Sequence, residues 1–438
     1  GTMPSTGPLS ISVPGAVDGW AELLKQHGTV SLARALEPAT AYAREGYAVS
    51  EIVAHQWQTV EPLLAAEPQS AMLLLPNGRA PRAGDIFHNP LLADTLDMLA
   101  RHGPNAFYRG QIADALTADL HEAGSWIQGE DLAQHRSDWV DPIRTTFRGR
   151  ELLELPPNTQ GLTAIEIVNL MGCEDLERLE HNTPAYVHHL VESVRIAFAD
   201  RAAHLADPVA VPPDIIEHLV SNGYALARRD EIDPDRAAPT YQAWRARRPT
   251  IAPASGIGDT VYLAAADDRG NVVSLIQSLF GAFGSGIVSP RTGIVLQNRA
   301  ALFALDPTHP NCLDGDKRPL HTLIPALVLE QDAPALAFGV MGGDMQAQGH
   351  AQVLANLFAF GMTLQEAGEA ARARWTGTEV ALESGIDKGV AAELATRGHR
   401  VSDERDGFGG FQGVLIDRTR GILHGGSDPR KDGLAIGW

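Results

Sequence analysis

The texture of the chain changes near residue 255, and that change limits the folds open to it. Ahead of it, apolar residues recur at helical spacing over 16–27, 32–45, 91–102 and 112–123, with Gly46, Gly103 and Gly124 closing three of these stretches. Residues 129–132 open another short helix. The clearest helix is expected over 183–207: Pro184 suits its first turn, and Val187, Leu190, Val191, Val194, Ala197 and Phe198 form one apolar stripe. His188 and His189 sit beside that stripe and read as solvated or internally satisfied side chains, because no companion metal ligands can be placed. Residues 228–254, rich in Arg, Asp and Pro, read as an exposed connector.

Beyond the connector, strand signals dominate. Residues 260–266 are β-branched and apolar, Asp268-Arg269-Gly270-Asn271 is a turn, and 272–278 is a second strand. Short strands are expected at 294–297, 326–329 and 335–340, then helices over 346–360 and 363–375 parted by Gly361, then strands within 401–416 and 421–425. Strands from the second half flanked by helices from both halves predict a layered α+β sandwich.

Charge narrows the function. The net charge of −19 has no basic block to offset it, which argues against a nucleic-acid groove or an anionic membrane surface as partner. No apolar run approaches the roughly 20 residues that span a bilayer. The first residues, Gly-Thr-Met-Pro-Ser-Thr-Gly, lack the basic start and apolar stretch of a signal peptide. They are compatible with a cloning remnant ahead of a missing native start, and the expected location is cytoplasmic. Cys173 and Cys312 are too few for a disulfide framework and read as free thiols.

Taken alone, Gly256-Ile257-Gly258-Asp259-Thr260 is a flexible polar segment feeding a strand, and Thr260 an ordinary β-branched strand residue. A series of motifs in fixed order gives it another meaning. Ser12-Val13-Pro14-Gly15-Ala16-Val17, Phe107-Tyr108-Arg109-Gly110, Glu130-Asp131-Leu132, Pro156-Pro157-Asn158-Thr159-Gln160-Gly161, the segment from Thr260 to Asn271, Phe283-Gly284-Ser285-Gly286, Lys317-Arg318-Pro319, Gly342-Gly343 and Ser427-Asp428-Pro429-Arg430 resemble, in that order, the gamma-glutamyltranspeptidase family. One motif departs in part: the family more often shows Ser-Ser-Gly-Gly where this chain has Asn158-Thr159-Gln160-Gly161.

The resemblance implies a four-layer αββα sandwich of the N-terminal-nucleophile hydrolase type. It implies a precursor that cuts itself after Asp259 into a large-subunit segment, 1–259 (truncated at its N-terminus relative to the family), and a small catalytic subunit, 260–438, intertwined in one domain. The product would be a large/small-subunit heterodimer, and a dimer of these stays open. Thr260 would be the nucleophile, with its freed α-amine, of reference pKa about 7.7–8.0, as base. Gly342 and Gly343 would hold the oxyanion, although Gly-Gly is also simply a tight turn, and Ser278 would be the hydroxyl that supports the nucleophile. No metal or cofactor is implied. The partners are a small-molecule amide and a water or amine acceptor.

The departures gather at positions the family uses for substrate. Phe280 and Leu302 stand where it keeps an Asn and an acidic residue for a glutamyl α-amine, and His321-Thr322 replaces a Ser-Ser pair. The family's Arg from a segment before residue 1 is missing. Arg299 stands where Gln is common, as a fork for a substrate carboxylate or as a structural Arg paired with a local acid. With no acidic partner, burying a substrate ammonium would be costly. Residues 303–316 are shorter than the family's lid-bearing loop, which suggests an open site. The expected activity is hydrolysis or acyl transfer on a carboxylate-bearing amide. Oxamate-amidohydrolase-like and side-chain acylase activities stand as alternatives, and a catalytically silent scaffold as the rival from another class.

Overall fold

A computed structural model describes residues 1–245, 258–404 and 406–438, with the side chains of Gly258 and Asp259 outside that description. Gly256 and Ile257, expected to be flexible, and residues 246–254 of the connector therefore lie outside the described residues. The chain divides into two compact units, Gly1–Trp139 with Ser278–Ala301, and Val140–Gln277 with Leu302–Trp438. Each unit thus contains residues from both sides of position 260.

The second unit is built on a six-stranded sheet. In chain order its elements are β1 (Ile143–Phe147), β2 (Arg150–Glu154), helix α1 (Gly161–Gly172), helix α2 (Pro184–His204), β3 (Gly258–Ala266), β4 (Val272–Gly281), β5 (Ala326–Glu330), β6 (Ala333–Met341), helix α3 (Met345–Phe358), β7 (Gly410–Asp417) and β8 (Ile422–Ser427). The sheet runs β8-β7-β6-β5-β2-β1, antiparallel throughout, with Leu152 opposite Val328, Ala326 opposite Phe338, and Val340 opposite Phe411. One buried cluster joins Leu152, Val328, Leu336 and Phe338 of the sheet to Ile165 and Val168 of α1, Val187 and Val191 of α2, and Val353 and Leu354 of α3. The hairpin of β3 and β4 packs on β6 and β7. Helices, sheet and hairpin therefore stack in layers, as the sequence predicts.

The period of two in β3 explains its placement. Thr260 and Tyr262 are buried while Val261 and Leu263 are exposed, so alternate side chains turn toward the sheet. The Tyr262 ring occupies the space over Gly339 of β6, where an added Cβ would fall 2.4 Å from a ring carbon. Its hydroxyl bonds Ser274 Oγ of β4 at 2.7 Å.

The first unit is largely helical, with helices such as Leu32–Glu45, Pro90–His102 and Gln111–Glu122 around a cluster that includes Ile11, Leu36, Leu99, Phe107, Leu116 and Leu132. Two of the sequence motifs meet there, because buried Tyr108 donates its hydroxyl to Pro14 O (2.9 Å) and accepts from Asp18 N (3.1 Å).

Several expectations are corrected. β1 and β2 come from the first half, where only helices were read, because their Arg- and Glu-bearing segments lack an apolar run. The helix expected over 363–375 ends at Glu369, and Ala373–Trp375 pairs as a strand with Val380–Leu382. Residues 294–297 form no strand but one isolated bridge, Val288 to Val295. Of the two readings left open for His188 and His189, the internally satisfied one holds, since both are buried and bond within the protein. The connector is not uniformly exposed. Arg228 lies in the last turn of the helix Asn222–Arg229 and is buried, as are Tyr241 and Ala243. Cys173 and Cys312 are free thiols.

Candidate active site

Thr260 is the third residue of β3 and is 8 % exposed, held on the inward face beside Tyr262. The strand beneath it, β6, runs into Gly342 and Gly343 and then into α3. Both glycines have positive φ, +132° and +59°. At Gly342 a Cβ would also come 3.0 Å from Gly409 Cα. A glycine is therefore required there for two reasons, handedness and close approach. Met345 N donates to Gly342 O (3.0 Å) and Gln346 N to Gly343 O (3.2 Å), so the pair forms the turn that starts a 14-residue helix. Backbone N–H groups at such a helix start lack intrahelical partners and attract negative charge.

Two buried polar groups brace this turn. Gln160, fully buried just ahead of α1, donates from Nε2 to Thr322 O (2.8 Å) and Gly343 O (2.9 Å) and accepts from Arg201 Nη1 of α2 (2.8 Å). Arg201 Nη1 also reaches Asp344 Oδ1 at 2.7 Å, and its guanidinium lies 4.2 Å over the Phe198 ring. On β2, Glu154 Oε1 accepts from His350 Nδ1 of α3 at 2.6 Å, while His350 Nε2 accepts from Val340 N of β6 at 3.3 Å. That second bond fixes the tautomer, because a ring nitrogen that accepts carries no proton. Burial pushes the Glu154 carboxyl upward, against the pull of His350.

His321 and Thr322 are held on the same scaffold. Gln160 N donates to His321 O (3.0 Å), His321 N to Asn158 O (2.8 Å), and Leu323 N to His321 Nδ1 (3.3 Å). Leu302 is half-buried, and Asn311 ties its carbonyl to Leu320 N at 2.7 and 2.9 Å. The short loop after it is thus folded back on itself rather than extended. The structure therefore brings the carbonyls of Thr322 and Gly343 together on one amide, and places Thr260 on a strand packed against β6.

Ser278 and Phe280 lie in the last residues of β4, where the chain passes into the first unit, and Arg299 belongs to that unit. Ser278 Oγ accepts from Phe280 N at 2.8 Å, and Phe280 has φ +77°, an uncommon backbone for a residue with a side chain. Arg299 is 3 % exposed, with its guanidinium 4.7 Å over the Phe280 ring. Burial lowers its pKa to about 9, which leaves it charged at neutral pH. Its neighbours Gln297 and Asn298 bond Ser12 O and Ser5 O, each at 2.7 Å.

Sequence reasoning passed over Glu154, Arg201 and His350. Arg201 and His350 lie on expected helices in which neither was singled out, and Gln160 was quoted as part of a motif without a role. Their pairing joins residues 41 to 196 positions apart, which no local pattern records.

A strand carrying Thr260 near its start, packed over the sheet whose β6 runs into the glycine turn, is the arrangement that an α+β hydrolase of the N-terminal-nucleophile type needs. Comparison with known proteins agrees. Residues 2–438 match the family profile described as gamma-glutamyltranspeptidase. The chain is 36 % identical over 438 residues to a glutathione hydrolase-like proenzyme of Bacillus subtilis (strain 168), covering 98 % of this chain and 81 % of that one. It is 34 % identical to the oxamate amidohydrolase proenzyme of Klebsiella pneumoniae subsp. pneumoniae, covering 100 % and 83 %. The crystal structure of a cephalosporin acylase from Bacillus halodurans superposes with TM-score 0.92 at 38 % identity, covering 100 % of this chain and 80 % of that chain. The chain belongs to the gamma-glutamyltranspeptidase family, and it is accordingly a hydrolase or acyltransferase. Among the described residues no helix is long and apolar enough to cross a membrane.

Proposed function

We propose that the chain is a self-processing amidohydrolase that breaks its own backbone after Asp259 and then cleaves amides through an acyl-Thr260 intermediate. In the precursor, Thr260 Oγ attacks the Asp259 carbonyl, and hydrolysis of the resulting ester releases residues 1–259 and 260–438 as large and small subunits that stay associated. The α-amine so freed takes the proton of the same hydroxyl. Thr260 Oγ then attacks the substrate carbonyl, N–H groups of Gly342 and Gly343 take up the developing negative charge, the amine product leaves with the proton, and water or an amine accepts the acyl group. Ser278 supports the nucleophile in this scheme. The observation that carries the reading is Thr260 buried near the start of a strand packed on the one that runs into the positive-φ glycine pair.

The substrate class is an amide whose acyl part bears a carboxylate. Support comes from the charged, buried Arg299 stacked on Phe280, and from apolar Phe280 and Leu302 where an α-amine would need polar or acidic partners. His321 and Thr322 are assigned to substrate binding by the family resemblance. Oxamate, named for one relative, is itself a carboxylate-bearing amide.

Denaturing electrophoresis with N-terminal sequencing tests the scheme. The wild-type protein should give two fragments, the smaller beginning at Thr260, and T260A should give one uncut, inactive chain. An active T260A protein would refute it.

A further inference from the structure

The glycine turn has no side chains of its own to set its peptide planes, and both of its residues adopt positive φ, where glycine is free to pivot. Within the turn Met345 N holds Gly342 O and Gln346 N holds Gly343 O, and a second bond on Gly343 O comes from outside it. The two N–H bonds of the Gln160 carboxamide are both spent, one on Gly343 O (2.9 Å) and one on Thr322 O (2.8 Å). Its oxygen is turned to Arg201 Nη1 (2.8 Å), which also holds the carboxylate of the next turn residue, Asp344 (2.7 Å). Only one orientation of the amide satisfies all of these bonds, because exchanging its oxygen and nitrogen would set N–H against N–H and oxygen against oxygen. The backbone of Gln160 adds a bond to His321 O (3.0 Å). Gln160 is completely buried, so no water substitutes for these partners.

We infer that Gln160 is a positioning residue: its carboxamide, oriented by Arg201, fixes the oxyanion turn at Gly343 and the acyl-binding segment at Thr322 in one register. This rests on the proposed role of Gly342 and Gly343. Removing the carboxamide should let the turn relax, while the 321–322 segment stays tied through the backbone bonds of His321 to Gln160 N and Asn158 O. Oxyanion donors misplaced by a fraction of an ångström lose their effect on the transition state more than on the bound substrate.

The test uses processed enzyme and a p-nitroanilide of a short dicarboxylic acid that the wild type turns over, with single-turnover kinetics separating binding from acylation. In Q160M, which keeps the length and bulk but neither donor, acylation should slow about 10- to 100-fold while substrate binding changes less than about threefold, with a melting curve close to that of the wild type. R201K, which keeps the charge opposite Asp344 but loses the planar fork, should show a smaller slowing of the same kind, and replaces Q160M as the test if that variant does not fold. G343A is the control for the underlying reading. If G343A slows acylation and Q160M does not, or if Q160M changes binding and acylation equally, the positioning role is overturned while the oxyanion turn stands. If G343A acylates at the wild-type rate, the reading of the turn itself fails and the inference goes with it.

Discussion

Arg299 is a guanidinium held against an aromatic face, 3 % exposed, in a protein whose net charge is −19. A cation already stripped of water offers a carboxylate a stronger partner than a solvated one would, and its planar fork suits two carboxylate oxygens. R299Q should therefore raise KM for amides with a carboxylate on the acyl side by about tenfold or more, a desolvated charge-assisted bond being worth about 1.5–3 kcal/mol. For uncharged amides of the same length KM should stay within about twofold. Steady-state kinetics on a matched pair of anilides decides it, and equal effects on both would remove Arg299 from substrate binding. Thr260, Gly342 and Gly343 stood out by their place in an ordered series of motifs. What they lean on did not, because Gln160, Arg201, Glu154 and His350 act through partners that are far apart in the chain.

Helix α2 shows how an element can be read correctly and still hold surprises. Its cap and stripe predicted the boundaries to within a few residues, yet its polar positions turn inward as well. Glu192 is fully buried and accepts from Ala238 N (2.9 Å) and the Tyr241 hydroxyl (2.7 Å), which pins the connector that looked exposed. His188 Nε2 donates to Asp233 O (2.8 Å), so its Nδ1 must accept from His399 Nε2 (2.7 Å). This arrangement requires the His188 ring to be neutral, and burial pushes both imidazoles below their ordinary range, His399 to about 4. A base whose folded pKa is depressed stabilises the fold above its unfolded pKa of about 6.5, and that contribution is lost as pH falls toward the folded value. The melting temperature should hold steady just above pH 6.5 and drop between pH 6.5 and 4. In H399Q, which keeps an N–H for His188 but does not titrate, about 2 kcal/mol of that loss should be missing. Calorimetry across this range checks it, and parallel pH curves for the two proteins would exclude the histidine pair. Elements without a strong period were the ones missed: the charged strands β1 and β2, and the helix that stops at Glu369 so that Ala373–Trp375 can pair with a neighbour.

For the whole molecule, several motifs that signal the family serve construction. Asp428, from the Ser427-Asp428-Pro429-Arg430 motif, is buried and accepts from Arg372 Nη2 (2.8 Å), Phe411 N (2.8 Å) and Arg430 Nη1 (3.0 Å). Burial alone would raise its carboxyl, but Arg372 and Arg430 hold it below the usual range. The cluster fastens the C-terminal segment to β7 and to the helix Leu364–Glu369, through Arg430 on Gly368 O and Arg372 on the same carbonyl. D428N should cost about 3–5 kcal/mol, since it leaves the fully buried Arg372 without its counter-charge. Urea unfolding gives the number, and a loss under about 1 kcal/mol would mean that the cluster relaxes around the change. Lys317-Arg318-Pro319 is likewise structural, with Arg318 N on Asp207 Oδ2 (2.8 Å) and Pro319 O on Asn158 Nδ2 (2.7 Å). By itself the sequence determined the layered α+β class, the long helix, the β3–β4 hairpin and the family, because each is written in a local period or in residues of fixed order. The tertiary structure alone decided which strands complete the sheet, which polar side chains are buried, and which amide holds the glycine turn. Those depend on hydrogen bonds between segments distant in the chain, whose energy exists only once burial has removed the water that would otherwise compete for them.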